Sequence, residues 1–409
     1  MAQSQYDLII VGGGIGGSAL ATVMARAGRR VLVLERQATF RDRVRGEWMA
    51  QWGVREAATL GLLDDLMAAG AHRLTRHRLY GDSIDPASPE ELPLDALTPD
   101  VGGPLTFGHP THCETLFKAA GAAGATALRP VSDLEVTLGG APRVGYTYQG
   151  GRHAATARLI IGADGRHSVV RKAAGIGLRH DETHHLFAGM LVQHADGWDQ
   201  QLQVLCTERD VFGLVFPQGG GRIRLYLGYP KEQTQRFAGD GGQRAFLDAF
   251  RMKTMPGSDV LANATPAGPC ASYPNERADA DAQVADGCVL IGDAAGWNDP
   301  IIGQGLSITY RDVRMVRDVL LASDDWSPAA FAPYVEERRE RMERLRFSAA
   351  WLATLANEFG EEARARRLRT REREAANPLF RLPLVATLIG PENVPPQAFD
   401  PSLRQAYFA

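Results

Sequence analysis

Two glycine-rich stretches of the sequence have the residue types and spacing needed to bind phosphate. The first is GGGIGG, at residues 12–17, which fits the pattern G-x-G-x-x-G. A continuous apolar run, YDLIIV, precedes it, and a helical pattern of small residues follows. In this context the glycines permit a tight turn, close approach of the backbone to a pyrophosphate and close packing of helix on strand. The residues predicted to bind a dinucleotide here are Gly12, Gly14, Ile15, Gly16 and Gly17.

An acidic residue, Glu35, ends the next predicted strand, VLVLER. A carboxylate at this position accepts hydrogen bonds from the hydroxyls of an adenosine ribose and disfavours the 2′-phosphate of NADP. The helix that follows the glycines presents free N–H groups and partial positive charge to the phosphates. The fingerprint by itself leaves NAD and FAD both open.

Two later motifs decide between these cofactors. RLIIGADGRHSVVR (158–171) is an apolar strand that ends in Gly-Ala-Asp-Gly, and GCVLIGDAAGWNDPIIGQGL (287–306) contains the second glycine-rich loop. With the N-terminal fingerprint, and in this order, they resemble the group A flavin-dependent monooxygenases of the para-hydroxybenzoate hydroxylase type. The resemblance covers nearly the whole chain, and it implies that FAD is the cofactor and NAD(P)H a transient reductant.

The resemblance also implies roles for residues of the first two motifs. Arg36 would lie beside the adenine, and Arg45, in RVRGEW, near the pyrophosphate and the flavin edge. Asp164 and Gly165 would support both FAD and NAD(P)H. Taken alone, Asp164 is equally compatible with an ordinary turn cap.

The second glycine-rich loop would hold the flavin half of FAD. Asp293 would bond the ribitol hydroxyls, and Pro300 would pass under the isoalloxazine ring; each alone could also be a simple cap or loop residue. If a helix begins at Gly305, its N-terminus directs partial positive charge at the ring edge that becomes negative on reduction. The loop residues assigned to FAD are Gly292, Asp293, Pro300, Gly303, Gln304 and Gly305.

The sequence departs from the family pattern at two positions. Gly296 stands where many relatives have histidine, and His112 where relatives often have arginine. We therefore expect a pocket unlike that of the usual phenol hydroxylases. The paired-tryptophan motif of flavin-dependent halogenases is absent, since Trp48 and Trp52 are predicted to lie four residues apart on a helix.

The resemblance implies an FAD-dependent monooxygenase that uses NAD(P)H and O₂ to hydroxylate or epoxidise a small hydrophobic substrate, aromatic or natural-product in character, through a flavin C4a-hydroperoxide. The cofactor carries the difficult chemistry, so the sequence identifies no catalytic side chain. The alternatives are an FAD-dependent dehydrogenase or reductase, a halogenase on the same fold, and a flavin-binding sensor. A separate flavin reductase and the oligomeric state stay open.

Candidate substrate-binding residues lie near the flavin-binding motifs or on a predicted hairpin strand. Glu47 could equally be an acid in the first turn of a helix, and the others could be packing or surface residues. The candidates are Glu47, Trp48, Arg224, Tyr226, Trp297, Asn298 and Asp299.

Composition narrows the possible partners. The chain has 409 residues, 44% hydrophobic and 23% charged, with a net charge of −3, which favours small molecules over nucleic acid. Its four cysteines show no metal-ligand or disulfide spacing, which predicts no metal site and a cytoplasmic location. There is no apolar run of about 18 residues, and no signal peptide is recognised.

The elements that must position these residues indicate an α/β fold class with mixed α+β content. We predict a Rossmann-like FAD-binding domain at 1–180 plus 281–325, and an inserted antiparallel β-sheet substrate domain at 75–105 and 181–280. A helical C-terminal region is predicted at 326–409. Its alternating charge runs are typical of a solvated helix face rather than a nucleic-acid patch.

Overall fold

The computed structural model describes residues 5–409, so residues 1–4, where the predicted FAD-binding domain starts, lie outside the described residues. Its strands are β1 (Tyr6–Val11), β2 (Val31–Leu34), β3 (Trp48–Met49), β4 (His72–Arg73), β5 (Arg76–Gly81), β6 (Glu90–Pro93), β7 (Leu105–Thr106), β8 (Thr126–Leu128), β9 (Val131–Thr137), β10 (Arg143–Tyr148), β11 (Gly151–Gly162), β12 (Leu178–His180), β13 (His185–Gln193), β14 (Leu202–Glu208), β15 (Val211–Pro217), β16 (Ile223–Pro230), β17 (Thr265–Pro266), β18 (Ala271–Asn275), β19 (Ala278–Ala280), β20 (Val284–Ala285), β21 (Cys288–Leu290) and β22 (Gly296–Trp297).

The α-helices are α1 (Ile15–Arg26), α2 (Gln51–Thr59), α3 (Leu63–Ala68), α4 (Leu94–Leu97), α5 (His109–Ala122), α6 (Val169–Ala173), α7 (Gly242–Ala249), α8 (Ser258–Ala262), α9 (Gly305–Ala322), α10 (Ala332–Ala356), α11 (Glu361–Ala376), α12 (Leu382–Ile389) and α13 (Pro401–Phe408). Short 3₁₀ turns include Gly292–Ala295 and Pro300–Ile302. The predicted mixed α/β class is confirmed. Within residues 5–409, no helix is both long and apolar enough to cross a membrane.

The first sheet brings the predicted motifs to one edge. Its strand order is β20-β21-β11-β1-β2-β8, and the strands from β21 to β8 run parallel. Their last residues lie level, because Val11 pairs with Leu34 and with Gly162, and Gly162 pairs with Leu290. The continuous apolar runs that form these strands suit burial on both faces of a parallel sheet. Ligands bind outside the carboxyl ends of such strands, and all three motifs begin there.

The second sheet has the order β17-β13-β16-β15-β14-β5-β6, with β18 also paired to β13. The predicted hairpin is present: β15 and β16 are antiparallel, with Pro217 opposite Ile223. The expectation of a purely antiparallel sheet is wrong at one place, because β5 and β14 run parallel. These two strands come from distant chain segments, so no tight turn dictates their direction.

One face of the second sheet packs into its own apolar core, with Val204, Val215, Leu225 and Leu227 fully buried. The opposite face turns towards α10 and the second glycine-rich loop, where Phe212, Tyr226, Ile302 and Leu345 share a cluster. This second face therefore meets the first sheet's motif edge, which places the two sheets around a common space.

Two sequence expectations about helices need correction. Trp48 and Trp52 do not share a helix, because Trp48 lies in the short strand β3 and only Trp52 lies in α2. The alternating charge run of α10 is not wholly solvated: Arg338 and Arg341 are only 2% and 3% exposed. The periodicity of the charges alone could not show that Arg338 and Arg341 pair with a buried acidic residue on another helix.

That acid is Asp312 of α9, which is fully buried. Its carboxylate accepts hydrogen bonds from Arg338, from Arg341 at 2.7 Å and from the backbone N–H of Gly292 at 2.8 Å. Arg338 also donates to the carbonyl of Gly296 at 2.8 Å and that of Ala295 at 3.2 Å. The helical C-terminal region thus fixes the conformation of the second glycine-rich loop.

We expect Arg338→Met to lower the free energy of unfolding by about 3–5 kcal/mol, since it removes one of the two buried guanidinium partners of Asp312 and the donor to the carbonyls of Gly292, Ala295 and Gly296. Denaturant unfolding followed by circular dichroism measures this. The matched control is Arg339→Met, in the same run but exposed and paired only with surface acids. A control variant that unfolds as easily as Arg338→Met would contradict this assignment.

Candidate functional site

One cavity of about 850 Å³ opens between the motif edge of the first sheet, the second sheet and the C-terminal helices. All but two of the residues proposed from sequence line it. The lining residues from that set are Gly12, Gly14, Ile15, Gly16, Glu35, Arg36, Arg45, Glu47, Trp48, Asp164, Gly165, Tyr226, Gly292, Asp293, Trp297, Asn298, Asp299, Pro300, Gly303, Gln304 and Gly305. The cavity therefore unites segments from nearly the whole length of the chain.

The two residues that do not line it have structural positions. A Cβ atom on Gly17 would lie 1.9 Å from the Gly12 carbonyl oxygen, so glycine there permits close packing of α1 on the preceding turn. Arg224 is 1% exposed and donates to Asp42 at 2.7 Å and to Glu47 at 2.8 Å. Arg224 thus lies behind the cavity wall.

The first glycine loop forms an open cradle. A Cβ atom on Gly14 would meet nothing within 4 Å, and the N-terminus of α1 has no side-chain cap. Glu35 lies directly behind it and accepts hydrogen bonds from the N–H groups of Gly13 at 2.8 Å and Gln37 at 2.7 Å. Each carboxylate oxygen keeps a further lone pair for a ligand hydroxyl.

Asp164 of the mid-chain motif does cap a turn, since its Oδ2 accepts a hydrogen bond from the N–H of Val169 at 2.6 Å. Its Oδ1 is buried and has no partner in the part of the chain that the structure describes. Burial raises the pKa of this carboxyl. An orphaned acceptor at the wall of a cavity fits a ligand that brings a donor.

The second glycine-rich loop is held by its own side chains as well as by Arg338. Asp299 accepts hydrogen bonds from the N–H of Ile301 at 2.8 Å and from Asn275 at 3.2 Å, and burial raises its pKa to about 6. Gln304 accepts a hydrogen bond from the indole N–H of Trp52 at 2.8 Å. The predicted helix begins at Gly305 as α9, again without a side-chain cap, so its free N–H groups are available at the cavity.

The guanidinium group of Arg166 contacts both Asp293 and Trp297. Arg166 approaches Asp293 at 3.2 Å and lies 4.6 Å above the Trp297 ring, which is 4% exposed. Next to it, Asn298 accepts a hydrogen bond from the N–H of Asp299 at 2.9 Å. Trp297 and Asn298 line the cavity, and the buried Nε1 of Trp297 and Nδ2 of Asn298 have no hydrogen-bond partner in the part of the chain that the structure describes.

Gly296, which stands where many relatives have histidine, lies where the backbone leaves no room for a side chain. Its φ is +98°, and a Cβ atom would lie 2.7 Å from the carbonyl oxygen of Ala278, because β22 pairs here with β19. No side chain fits at this position, so the departure comes from strand pairing of the loop.

Glu47 is buried beside the second sheet and is not the first-turn helix acid that the sequence allowed. Besides Arg224, it accepts a hydrogen bond from the Tyr226 hydroxyl at 3.0 Å. Burial raises the pKa of Glu47, and the Arg224 guanidinium opposes that rise. The cavity wall here is a buried network with fixed polar positions.

His77 of β5 and Gln203 of β14 are among the cavity residues that sequence reasoning missed. They face each other in the sheet register, and Gln203 also accepts a hydrogen bond from the Trp48 indole at 2.8 Å. Neither lies in a recognisable motif. Only the pairing of two distant strands brings them together.

The backbone N–H donors at the cavity fit a dinucleotide whose two halves bind at separate loops. Two uncapped helix N-termini, of α1 and α9, meet one cavity from two loops of the same sheet edge. Helix N-termini bind anionic groups, and the open space at Gly14 leaves room for a pyrophosphate. In residues 5–409, no cluster of side chains suited to a metal ion is present.

Comparison with known proteins agrees with this geometry. The family model described as FAD binding domain matches residues 5–348. Squalene monooxygenase SE2 of Panax ginseng is 27% identical over 333 residues, which cover 78% of this chain and 59% of that protein. This chain therefore spans less than two thirds of the length of that relative. Ubiquinone hydroxylase UbiL of Rhodospirillum rubrum is 28% identical over 413 residues, covering 93% of this chain and 89% of that protein.

Among solved structures, p-nitrophenol 4-monooxygenase PnpA from Pseudomonas putida DLL-E4 superposes with a TM-score of 0.80 at 18% identity. The match covers 94% of this chain and 98% of that one, and at this identity it shows the shared fold. The chain thus belongs to the FAD binding domain family, in its para-hydroxybenzoate-hydroxylase-like group, and FAD is its cofactor.

Proposed function

We propose that this protein is an FAD-dependent monooxygenase that uses NAD(P)H and O₂ to hydroxylate or epoxidise an apolar organic substrate. The observation that carries the proposal is the continuity of the cavity. It begins at the FAD-binding motifs and continues between the second sheet and the C-terminal helices, lined there by Leu205, Leu214, Leu352 and Leu388. The cofactor and an apolar substrate can therefore share one continuous space.

In this proposal the first loop and Glu35 hold the adenosine half of FAD, with Arg36 and Arg45 beside it. Asp164, Asp293 and the segment from Pro300 to Gly305 hold the flavin half. The N-terminus of α9 stabilises negative charge on the ring edge after reduction. When bound, FAD accepts a hydride from NAD(P)H and activates O₂ for transfer of one oxygen atom.

The protein's own side chains have the task of positioning the substrate and excluding water. Trp48 and Phe216 lie with ring centroids 6.0 Å apart, and Tyr226 lies 6.2 Å from Phe216. Together they form an aromatic wall next to the proposed ring support. Phe216 and Tyr226 come from residues 181–280, which supports the proposed role of that segment in the substrate domain.

The substitution Gly14→Ala, which adds one methyl group, tests the assignment of the first glycine loop to FAD. Its backbone conformation suits alanine and its Cβ meets no protein atom, so we expect a folded protein whose methyl group occupies space required by the pyrophosphate. Because overpacking costs about 1–3 kcal/mol, we expect the Kd for FAD to rise by about fivefold to 150-fold. Titration of the deflavinated protein measures it.

Gly121→Ala serves as the matched control, since Gly121 lies on α5 with open space around it and outside the cavity. Its FAD affinity should equal that of the wild type. Unchanged affinity in Gly14→Ala would remove the first loop from the cofactor site.

The oxygenation itself is tested with the purified FAD-loaded protein, NADPH or NADH, and a panel of apolar compounds under ¹⁸O₂. We expect substrate-stimulated NAD(P)H oxidation, with one ¹⁸O atom in the product and the other in water. Product formed without O₂ would instead show a dehydrogenase, and product that requires halide would show a halogenase. Oxygenation only after a flavin reductase is added would place reduction in a partner.

A further inference from the structure

Apart from the network of Glu47, Arg224 and Tyr226, the cavity face of the second sheet contains a short polar row among leucine and phenylalanine side chains. Alternation along β5 turns His77 and Leu79 towards the cavity, and in β14 Gln203 and Leu205 lie opposite them. Phe216 and Leu214 continue the same face on β15. A histidine and a glutamine in this setting need an explanation, because polar groups at an apolar wall are costly unless they are bonded.

Hydrogen bonds join the row into a chain with a fixed direction. The Trp48 indole N–H donates to Gln203 Oε1 at 2.8 Å, and Gln203 Nε2 lies 2.9 Å from His77 Nδ1. Because an indole can only donate, the carbonyl oxygen of Gln203 must face Trp48 and its amide N–H must face His77. His77 Nδ1 must then accept, so the ring proton of the neutral histidine resides on Nε2.

His77 is neutral at physiological pH, because burial lowers its pKa to about 4. No residue within 5–409 bonds its Nε2, and its exposed part faces the cavity. An N–H donor held towards an apolar space costs about 1–3 kcal/mol if a bound ligand leaves it unpaired. The cavity thus disfavours a pure hydrocarbon at this point.

The row also starts beside the proposed flavin support. A Cβ atom on Gly303 would lie 3.0 Å from the ring of Trp48, so this indole packs directly on the second glycine-rich loop. A substrate group that reaches His77 would therefore be fixed relative to the loop by the chain through Gln203 and Trp48. His77 has the geometry of a positioning residue.

We propose that His77 donates a hydrogen bond through Nε2 to a neutral oxygen acceptor, such as a ketone or quinone carbonyl, on an otherwise apolar substrate. This proposal rests on the proposed function in one respect, namely that the molecule bound at His77 is the substrate of that reaction. The binding site itself does not depend on turnover. Groups that only donate hydrogen bonds are disfavoured at the same point.

The tautomer is tested directly by NMR of the FAD-loaded protein labelled with ¹⁵N-histidine. We expect His77 to show the Nε2–H tautomer from pH 6 to pH 8, and Gln203→Leu to mix the two tautomers because Nδ1 loses its donor. A wild-type Nδ1–H tautomer, or a protonated ring in this pH range, would overturn the proposal.

Ligand selection is tested with 2-acetylnaphthalene and 2-isopropylnaphthalene, which have similar shapes and differ in the carbonyl oxygen. Their Kd values are measured by calorimetry on the oxidised, FAD-loaded protein. In His77→Phe we expect the ketone to lose about tenfold more affinity than the hydrocarbon, as for one lost hydrogen bond of about 1.4 kcal/mol. Equal changes for both probes, or no binding of either to the wild type, would contradict the proposal.

Leu79→Met is the matched control, two residues along the same strand and on the same wall but without a donor. It should change both Kd values by the same factor. Because neither experiment requires NAD(P)H or O₂, absence of oxygenation would leave both results interpretable. Equally, a failure of the His77 proposal would leave the ¹⁸O₂ experiment unaffected.

Discussion

The buried ion pair between Asp312 of α9 and Arg338 of α10 is the interaction on which the site depends most. Asp312 also accepts the N–H of Gly292, and Arg338 also binds the carbonyls of Ala295 and Gly296. Removing Arg338 leaves Asp312 with Arg341 as its remaining cationic partner, and breaking a buried pair of this kind is strongly destabilising. The second glycine-rich loop is therefore positioned by α9, which begins at Gly305 of that loop, and by α10, which lies outside the predicted cofactor-binding motifs.

The same loop lies at the level where β21, β11 and β1 end together, so the positions of all three motifs follow from the parallel register of the first sheet. The second sheet meets this edge with one face and forms its own core with the other. A single cavity between them joins the glycine-rich loops of the first sheet to an apolar extension. This division matches the chemistry of the group, in which the cofactor reacts and the protein positions the substrate and excludes water.

Much of the fold and part of the candidate site could be predicted from the sequence. Short-range patterns with a mechanical reason identified the first loop, Glu35 and the helix that starts at Gly305. Other features depend on contacts between distant segments, which local patterns do not encode. The burial of Arg338 requires Asp312, the positive φ of Gly296 requires the pairing of β22 with β19, and the parallel pairing of β5 with β14 places His77 beside Gln203. The assignment of Trp48 to a helix failed for a similar reason, because pairing of β3 with β7 overrides local helical spacing.

A crystal structure of the purified protein with its bound cofactor tests the central claim most directly, namely that two distant glycine-rich loops hold opposite halves of one FAD. We expect the adenosine ribose at Glu35, the pyrophosphate at the N-terminus of α1, and the isoalloxazine ring against Pro300 to Gly305 with Trp48 beside it. An FAD whose ring lies away from that loop, or a nicotinamide dinucleotide in its place, would contradict it.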